Sequence, residues 1–309
     1  MHPVIPKKAL LVVITGLVIS LARGQCADPV LRWQLKEGQV LRQTIETDVS
    51  TTMKVGPALN KVFQKLTLGT LLTVVKVDAH GKAELRQTCE RLFLKMELEG
   101  GQSFEYDSQA AKDPKGPIFT ALGPLLKTVL ASQASLEVSA DGKVERFKLA
   151  LDVLRAFREA PGAPAMGELF SEEAFQRMSS PWPVLKGGPL KVGMTWVSRT
   201  ESRLPFGTLS TDQAYTYAGP EKRAGRELHK ILLKGTPSFE KREGQAINLR
   251  LKRGESSGIL FFDAEMGRFA ELEQKQSITL EIHALADGRD SVTESITRCR
   301  LEEALAATK

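Results

Sequence analysis

The pentapeptide Gly254-Glu255-Ser256-Ser257-Gly258 carries the G-x-S-x-G spacing of a serine nucleophile elbow, and Asp263 and His283 follow it in hydrolase chain order. An elbow needs a strand before the serine and a helix after it, so that the hydroxyl stands strained at a sheet edge. Ile259 to Phe262 has strand character instead, which predicts a plain β-turn around Ser256. The histidines His80, His229 and His283 lie far apart, with no H-x-H, H-E-x-x-H or C-x-x-C beside them, so no metal site is read. No carboxylate pair stands out by position, because the two acids of a glycosidase meet only in three dimensions. Phosphate loops of the G-x-x-x-x-G-K type are absent. The expectation is a protein with no catalytic residue, no metal and no cofactor.

Two cysteines in the body of the chain, Cys89 and Cys299, leave two readings open. In an oxidising compartment they could pair and tie the first half to the last strand; otherwise they are two separate, half-buried thiols. Two further segments bear on binding. Ile118 to Leu130 and Leu149 to Phe157 have helical period, with Leu122, Leu125, Leu126, Val129 and Leu130 at three-to-four spacing in the first, and Leu151, Leu154, Ala156 and Phe157 able to bury one side of the second. A curved antiparallel sheet closed by such helices encloses an apolar pocket suited to a hydrophobic small molecule or lipid. Its predicted lining is Leu122, Leu126, Val129, Leu154 and Phe157. The competing reading has the same helices simply covering the core face of the sheet.

The elements that position these residues are mostly strands. Leu35-Lys36-Glu37-Gly38 opens one long alternating run and Leu190-Lys191-Val192-Gly193 opens another, as if one unit were used twice. In the first half, strands are expected over Leu41–Met53, Val62–Val77 and Lys82–Leu98, followed by the first helix, a hairpin around Asp141-Gly142 and the second helix. Within the third strand the apolar parity switches between Cys89 and Leu92, which predicts a bulge. Pro181-Trp182-Pro183 through Gly187-Gly188-Pro189 reads as a linker, placing a boundary near 186. Seven strands follow, separated by turns rich in Gly, Pro and Asp, and Leu272 to Ile282 alternates most cleanly. The repeated small-or-acidic, Gly, Lys/Arg turns read as hairpin chemistry rather than ion loops. The expected fold is α+β and mostly β, with two antiparallel, curved sheets from a diverged internal duplication and helices between them. Residues 25–186 form the first unit and 187–309 the second.

At the N-terminus, Lys7 and Lys8 precede an apolar run from Ala9 to Ala22, the pattern of a secretory signal peptide over residues 1–24. Cleavage fits after Gly24 or after Ala27, and a lipidated Cys26 is the alternative, with a poorly matching lipobox. Removing residues 1–24 lowers the formal charge from +6 to +3 and leaves both signs interspersed. No basic run remains to serve as a nucleic-acid footprint. No later stretch reaches the roughly 20 apolar residues of a transmembrane helix.

Leu31-Arg32-Trp33 with Lys36-Glu37-Gly38, Pro183-Val184 followed by Val192-Gly193-Met194-Thr195-Trp196, and Ser257-Gly258 with Phe262-Asp263 and Gly267-Arg268 occur in this order along the chain. In these features it resembles a domain of unknown function in secreted proteins, found chiefly in planctomycetes. The chain departs from that pattern at Met194, where an acid is expected, and in the insertion Gly187-Gly188-Pro189. The resemblance implies export, to the periplasm or the cell exterior, and this layout; it implies no activity and no site residues. The functional expectation is an exported, non-catalytic binding or envelope protein for an apolar ligand or lipid. The alternative is an extracytoplasmic hydrolase whose residues only the fold assembles.

Overall fold

Long alternating stretches become long strands. The computed structural model of the protein describes residues 28–55, 58–159, 172, 175–176, 180–204, 207–242, 248–283 and 288–304, and the predicted signal peptide and Cys26 lie outside them. The chain forms β1 (Val40–Val55), β2 (Ala58–Val77), β3 (Ala83–Glu97), β4 (Ser103–Asp107), α1 (Pro117–Ala131), β5 (Gln133–Val138), β6 (Val144–Leu149) and α2 (Leu151–Glu159). Six more strands follow: β7 (Thr195–Leu204), β8 (Gly207–Arg223), β9 (Arg226–Lys241), β10 (Asn248–Asp263), β11 (Arg268–His283) and β12 (Gly288–Glu303).

All twelve strands belong to one antiparallel sheet, in the order β6-β5-β3-β2-β1-β12-β11-β10-β9-β8-β7, with β4 on the far end of β3. This corrects the expectation of two sheets. Each half is a meander, but β1 pairs with β12 over thirteen residue pairs, from Leu41↔Glu303 to Met53↔Ser291, and fuses the two. Nothing local in the sequence announces that pairing, because it joins residues some 250 positions apart.

The repeated opening motif makes the same turn twice. Gly38 N–H donates to Val74 O (2.9 Å), Val74 N–H to Gln39 O (2.8 Å) and Gln39 N–H to Lys36 O (3.0 Å). Gly193 N–H donates to Tyr217 O (2.8 Å), Tyr217 N–H to Met194 O (2.9 Å) and Met194 N–H to Lys191 O (2.9 Å). Both glycines sit at positive φ, +79° and +85°, where a side chain is strained. The two strands so started hold different places: β1 is central and β7 is an edge.

One face of the sheet carries the core. Leu41, Ile231, Leu260 and Phe269 are fully buried on it, each contributing roughly 1.5–3 kcal/mol of apolar burial. Two segments cross this face. Trp33 N–H donates to Ala140 O (2.7 Å) and Gln34 N–H to Gly267 O (2.8 Å), while Leu185 N–H donates to Asp141 O (2.7 Å). The first segment thus ties the β5–β6 hairpin turn to the β10–β11 turn. Gly142 is needed there for space as well as for its φ of +87°, since a Cβ would lie 2.5 Å from Trp33 Nε1. The predicted linker is therefore part of the core. Trp182 stacks on Phe269 (5.3 Å between centroids), donates its Nε1–H to buried Gln43 (2.9 Å), and is 8% exposed.

The parity switch in β3 is a bulge. Thr70 pairs with Cys89 and Gly69 with Arg91, so Glu90 is the extra residue, and Leu85, Cys89, Leu92 and Leu94 all reach the core face.

Candidate functional site

Over β2, β3, β5 and β6 the core face is covered by α1 and α2, and the cover leaves a pocket of about 350 Å³. Its floor comes from alternate residues of two strands, Leu66, Leu68 and Thr70 on β2 and Gln87, Cys89, Leu92 and Leu94 on β3. The helix α1 supplies one wall through Leu122, Leu125, Leu126 and Val129, whose three-and-four spacing puts them on a single stripe. Phe147 and Leu149 of β6, with Phe175, close another side.

The ends of α1 are set by its sequence. Pro117 stands in the first turn, where its missing N–H costs nothing. Ser132 ends the helix, donating both its N–H (3.2 Å) and its hydroxyl (2.7 Å) to Val129 O. Pro124 inside the helix cannot donate to Thr120 O, and one turn on Thr128 Oγ1 donates to Pro124 O (2.8 Å). Phe119 stacks on Tyr106 of β4 (5.9 Å), which anchors the helix to the sheet.

Among the described residues the pocket lining holds no Asp, Glu, Lys, Arg or His. Its polar groups are few and poorly satisfied. Thr70 is 2% exposed and Gln87 6%, and among the described residues neither Thr70 Oγ1 nor Gln87 Oε1 has a hydrogen-bond partner. Burial pushes the Cys89 thiol up to about 11, so it is neutral at ordinary pH; its S–H faces Arg91 O at 3.6 Å.

Of the predicted lining, Leu122, Leu126 and Val129 are in place. Leu154 is not: it packs beside the pocket, against the cluster around Val74, Leu136 and Val153. The Phe157 side chain lies outside the described ones. The inward residue of α2 is Val153, 1% exposed, while Leu151 is 80% exposed. The helix starts directly after β6, with Val153 and Leu154 both donating to Ala150 O, and this rotates Leu151 outward. The floor residues of β2 and β3 were missed, although their signal existed as the alternation Gln64, Leu66, Leu68, Thr70.

Cys89 and Cys299 are both free thiols. They stand on β3 and β12 with β2 and β1 between them, three strand steps or roughly 14 Å apart. A disulfide needs Cα atoms within about 7 Å, so the pairing expected as one alternative does not form.

The G-x-S-x-G stretch is not a turn either. Ser256 lies inside β10, between Gly235 of β9 and Gln276 of β11. Its glycines serve close approach: a Cβ at Gly258 would lie 2.5 Å from Glu273 O, and one at Gly254 2.9 Å from Pro237 Cβ. Asp263 is seven residues further along the same strand, and His283 pairs with Asn248 seven residues beyond Gln276 in the other direction. At about 3.3 Å per residue each is roughly 23 Å from the serine along the strands. Ser256 Oγ instead accepts a hydrogen bond from Gln274 Nε2 (2.8 Å). His229 pairs with Phe262 and bonds Tyr217 OH through Nδ1 (2.7 Å), away from Ser256. On the opposite face, a groove of about 520 Å³ holds Glu271, Glu273 and Glu302, each facing an arginine.

No protein-family model and no curated protein matches the chain, so the planctomycete resemblance rests on the residues quoted for it. Among solved structures, lipovitellin, described for its lipid-protein interactions, is similar in fold with a TM-score of 0.50 at 12% identity. That match covers 89% of this chain and 26% of lipovitellin, so the chain spans about a quarter of that protein. DynF of the dynemicin biosynthesis pathway of Micromonospora chersina aligns over 90% of this chain and 87% of its own, at 8% identity and a TM-score of 0.22. A DUF1329 family protein from Desulfovibrio piger aligns over 86% of this chain and 87% of its own, at 10% identity and a TM-score of 0.14. Among the described residues no helix is long and apolar enough to cross a membrane.

Proposed function

We propose that the protein is an exported, non-catalytic carrier that holds a small apolar ligand, such as a lipid acyl chain, between α1 and the β2–β3–β5–β6 face. The observation that carries this reading is the pocket itself: about 350 Å³, walled by Leu, Val and Phe and free of charged side chains among the described residues. At roughly 30 Å³ per non-hydrogen atom it takes about a dozen atoms, one medium chain rather than a whole two-chain lipid. The fold shared with lipovitellin agrees with this reading. Export rests on the charged-then-apolar N-terminus, and the twin turns at Gly38 and Gly193 support descent from a duplicated unit.

The test is uptake of the small aromatic dye 1-aminonaphthalene, which matches the pocket at about eleven non-hydrogen atoms and whose emission shifts to shorter wavelength on leaving water. Wild type is expected to bind it, and Leu126→Trp, which fills the pocket from α1, is expected to bind at least about tenfold more weakly at an unchanged unfolding midpoint. The control Ile259→Trp adds the same indole on the opposite face and is expected to bind like wild type. Equal binding by all three would refute the pocket.

A further inference from the structure

The pocket lining is mostly apolar, with Gln64 and Ser132 polar at its margins and Thr70 and Gln87 polar on its floor. Thr70 on β2 and Gln87 on β3 both point to its floor from next-door register positions, Thr70 opposite Cys89 and Leu72 opposite Gln87. Their side chains are more than nine-tenths buried, yet Thr70 Oγ1 and Gln87 Oε1 bond to nothing among the described residues. A buried acceptor left empty costs free energy that a leucine at the same position would not incur. A pocket built only to hold hydrocarbon has no use for either group. Gln43, opposite Thr70 on β1, is satisfied by Trp182, and Ser256 on β10 by Gln274, whereas Trp33 Nε1 on the same face has no partner among the described residues.

We infer that Thr70 and Gln87 form a polar station that receives a neutral hydroxyl-bearing head of the ligand, which rests on the carrier reading above. The hydroxyl donates its one proton to Gln87 Oε1 and accepts from the Thr70 hydroxyl, so both orphaned groups are satisfied at once. The neutral thiol of Cys89 and the surrounding leucines supply no cation, so an ionised carboxylate or phosphate would lie unpaired in apolar surroundings, and the station selects against it. The ligand class is therefore a single-chain alcohol, with its hydroxyl inside and its chain along the α1 stripe.

The experiment displaces the bound dye with decan-1-ol, 1-methoxydecane and decanoate at pH 8, using wild type, Gln87→Leu and Thr70→Val. The methyl ether keeps the oxygen and loses the donor. Wild type is expected to bind the alcohol about tenfold more tightly than the ether, the factor that leaving one buried acceptor unpaired produces, and more tightly still than decanoate. Gln87→Leu is expected to abolish the alcohol–ether difference, and Thr70→Val to reduce it. Equal affinity of wild type for alcohol and ether, or a preference for decanoate, overturns the station while leaving the apolar carrier intact. Failure of wild type to take up the dye at all overturns the carrier reading itself. The wild-type comparison needs no variant to fold.

Discussion

Trp182 sits in a stretch rich in proline and glycine that separates the two meanders, yet its indole is clamped against the middle of the sheet. Trp182→Phe keeps an aromatic ring over Phe269 but removes the N–H that reaches Gln43 Oε1 at 2.9 Å. Gln43 is 1% exposed, so water cannot replace the lost donor. The expected cost is about 1–3 kcal/mol, a fall in Tm of roughly 2–8 °C for a chain of this size. Gln43→Leu leaves the indole N–H without this acceptor and costs a similar amount. The double variant replaces both partners by apolar groups, so its cost is expected to fall short of the sum of the singles by about 1–2 kcal/mol. Urea unfolding followed by tryptophan fluorescence and by far-ultraviolet circular dichroism measures all four proteins, with the midpoint read at constant m. Because β1 and β12 weld the meanders together, one transition is expected, shifting as a whole. Single variants within about 0.5 kcal/mol of wild type, strict additivity, or two transitions of which only one moves would refute the reasoning.

Ser256→Ala is expected to leave dye binding and any background ester hydrolysis unchanged, and to cost about 1 kcal/mol because Gln274 Nε2 loses its acceptor; a drop in hydrolysis would revive the serine nucleophile. Burial lowers the His229 imidazole below its usual value near 6.5, so as pH falls through that value the unfolded chain takes up a proton that the folded chain binds more weakly. Stability is therefore expected to be present above about pH 6.5 and to decline below it, and His229→Asn should remove that part of the slope; equal slopes in the two proteins would contradict it. Cys89 and Cys299 are expected to alkylate separately in denaturant without reductant, and peptide mapping that finds them joined would overturn the strand order.

What was legible in the sequence was local. The alternation of Leu272, Gln274, Gln276 and Ile278 fixes one face of β11, and the shift from Cys89 to Leu92 locates the bulge at Glu90. The stripe of Leu122, Leu126 and Val129 names a wall of the pocket. What was hidden was non-local or came from glycine. Gly254 and Gly258 read as a turn because the sequence cannot distinguish a glycine placed for φ from one placed for close approach, whereas β10 runs straight through Ser256. The order β2-β1-β12-β11 depends on contacts between the ends of the chain, which decide both the single sheet and the separation of the cysteines. Thr70 and Gln87 are polar members of alternating strands, and only the fold shows that they are buried, without partners among the described residues.

The most direct measurement is the native mass of the protein purified from its exported fraction and incubated with a total lipid extract, set against the denatured mass of the same sample. The carrier account predicts an excess on the order of 200 Da, about a dozen non-hydrogen atoms, that disappears on denaturation and is missing from Leu126→Trp. Coincident native and denatured masses, or an excess that Leu126→Trp retains, would contradict it.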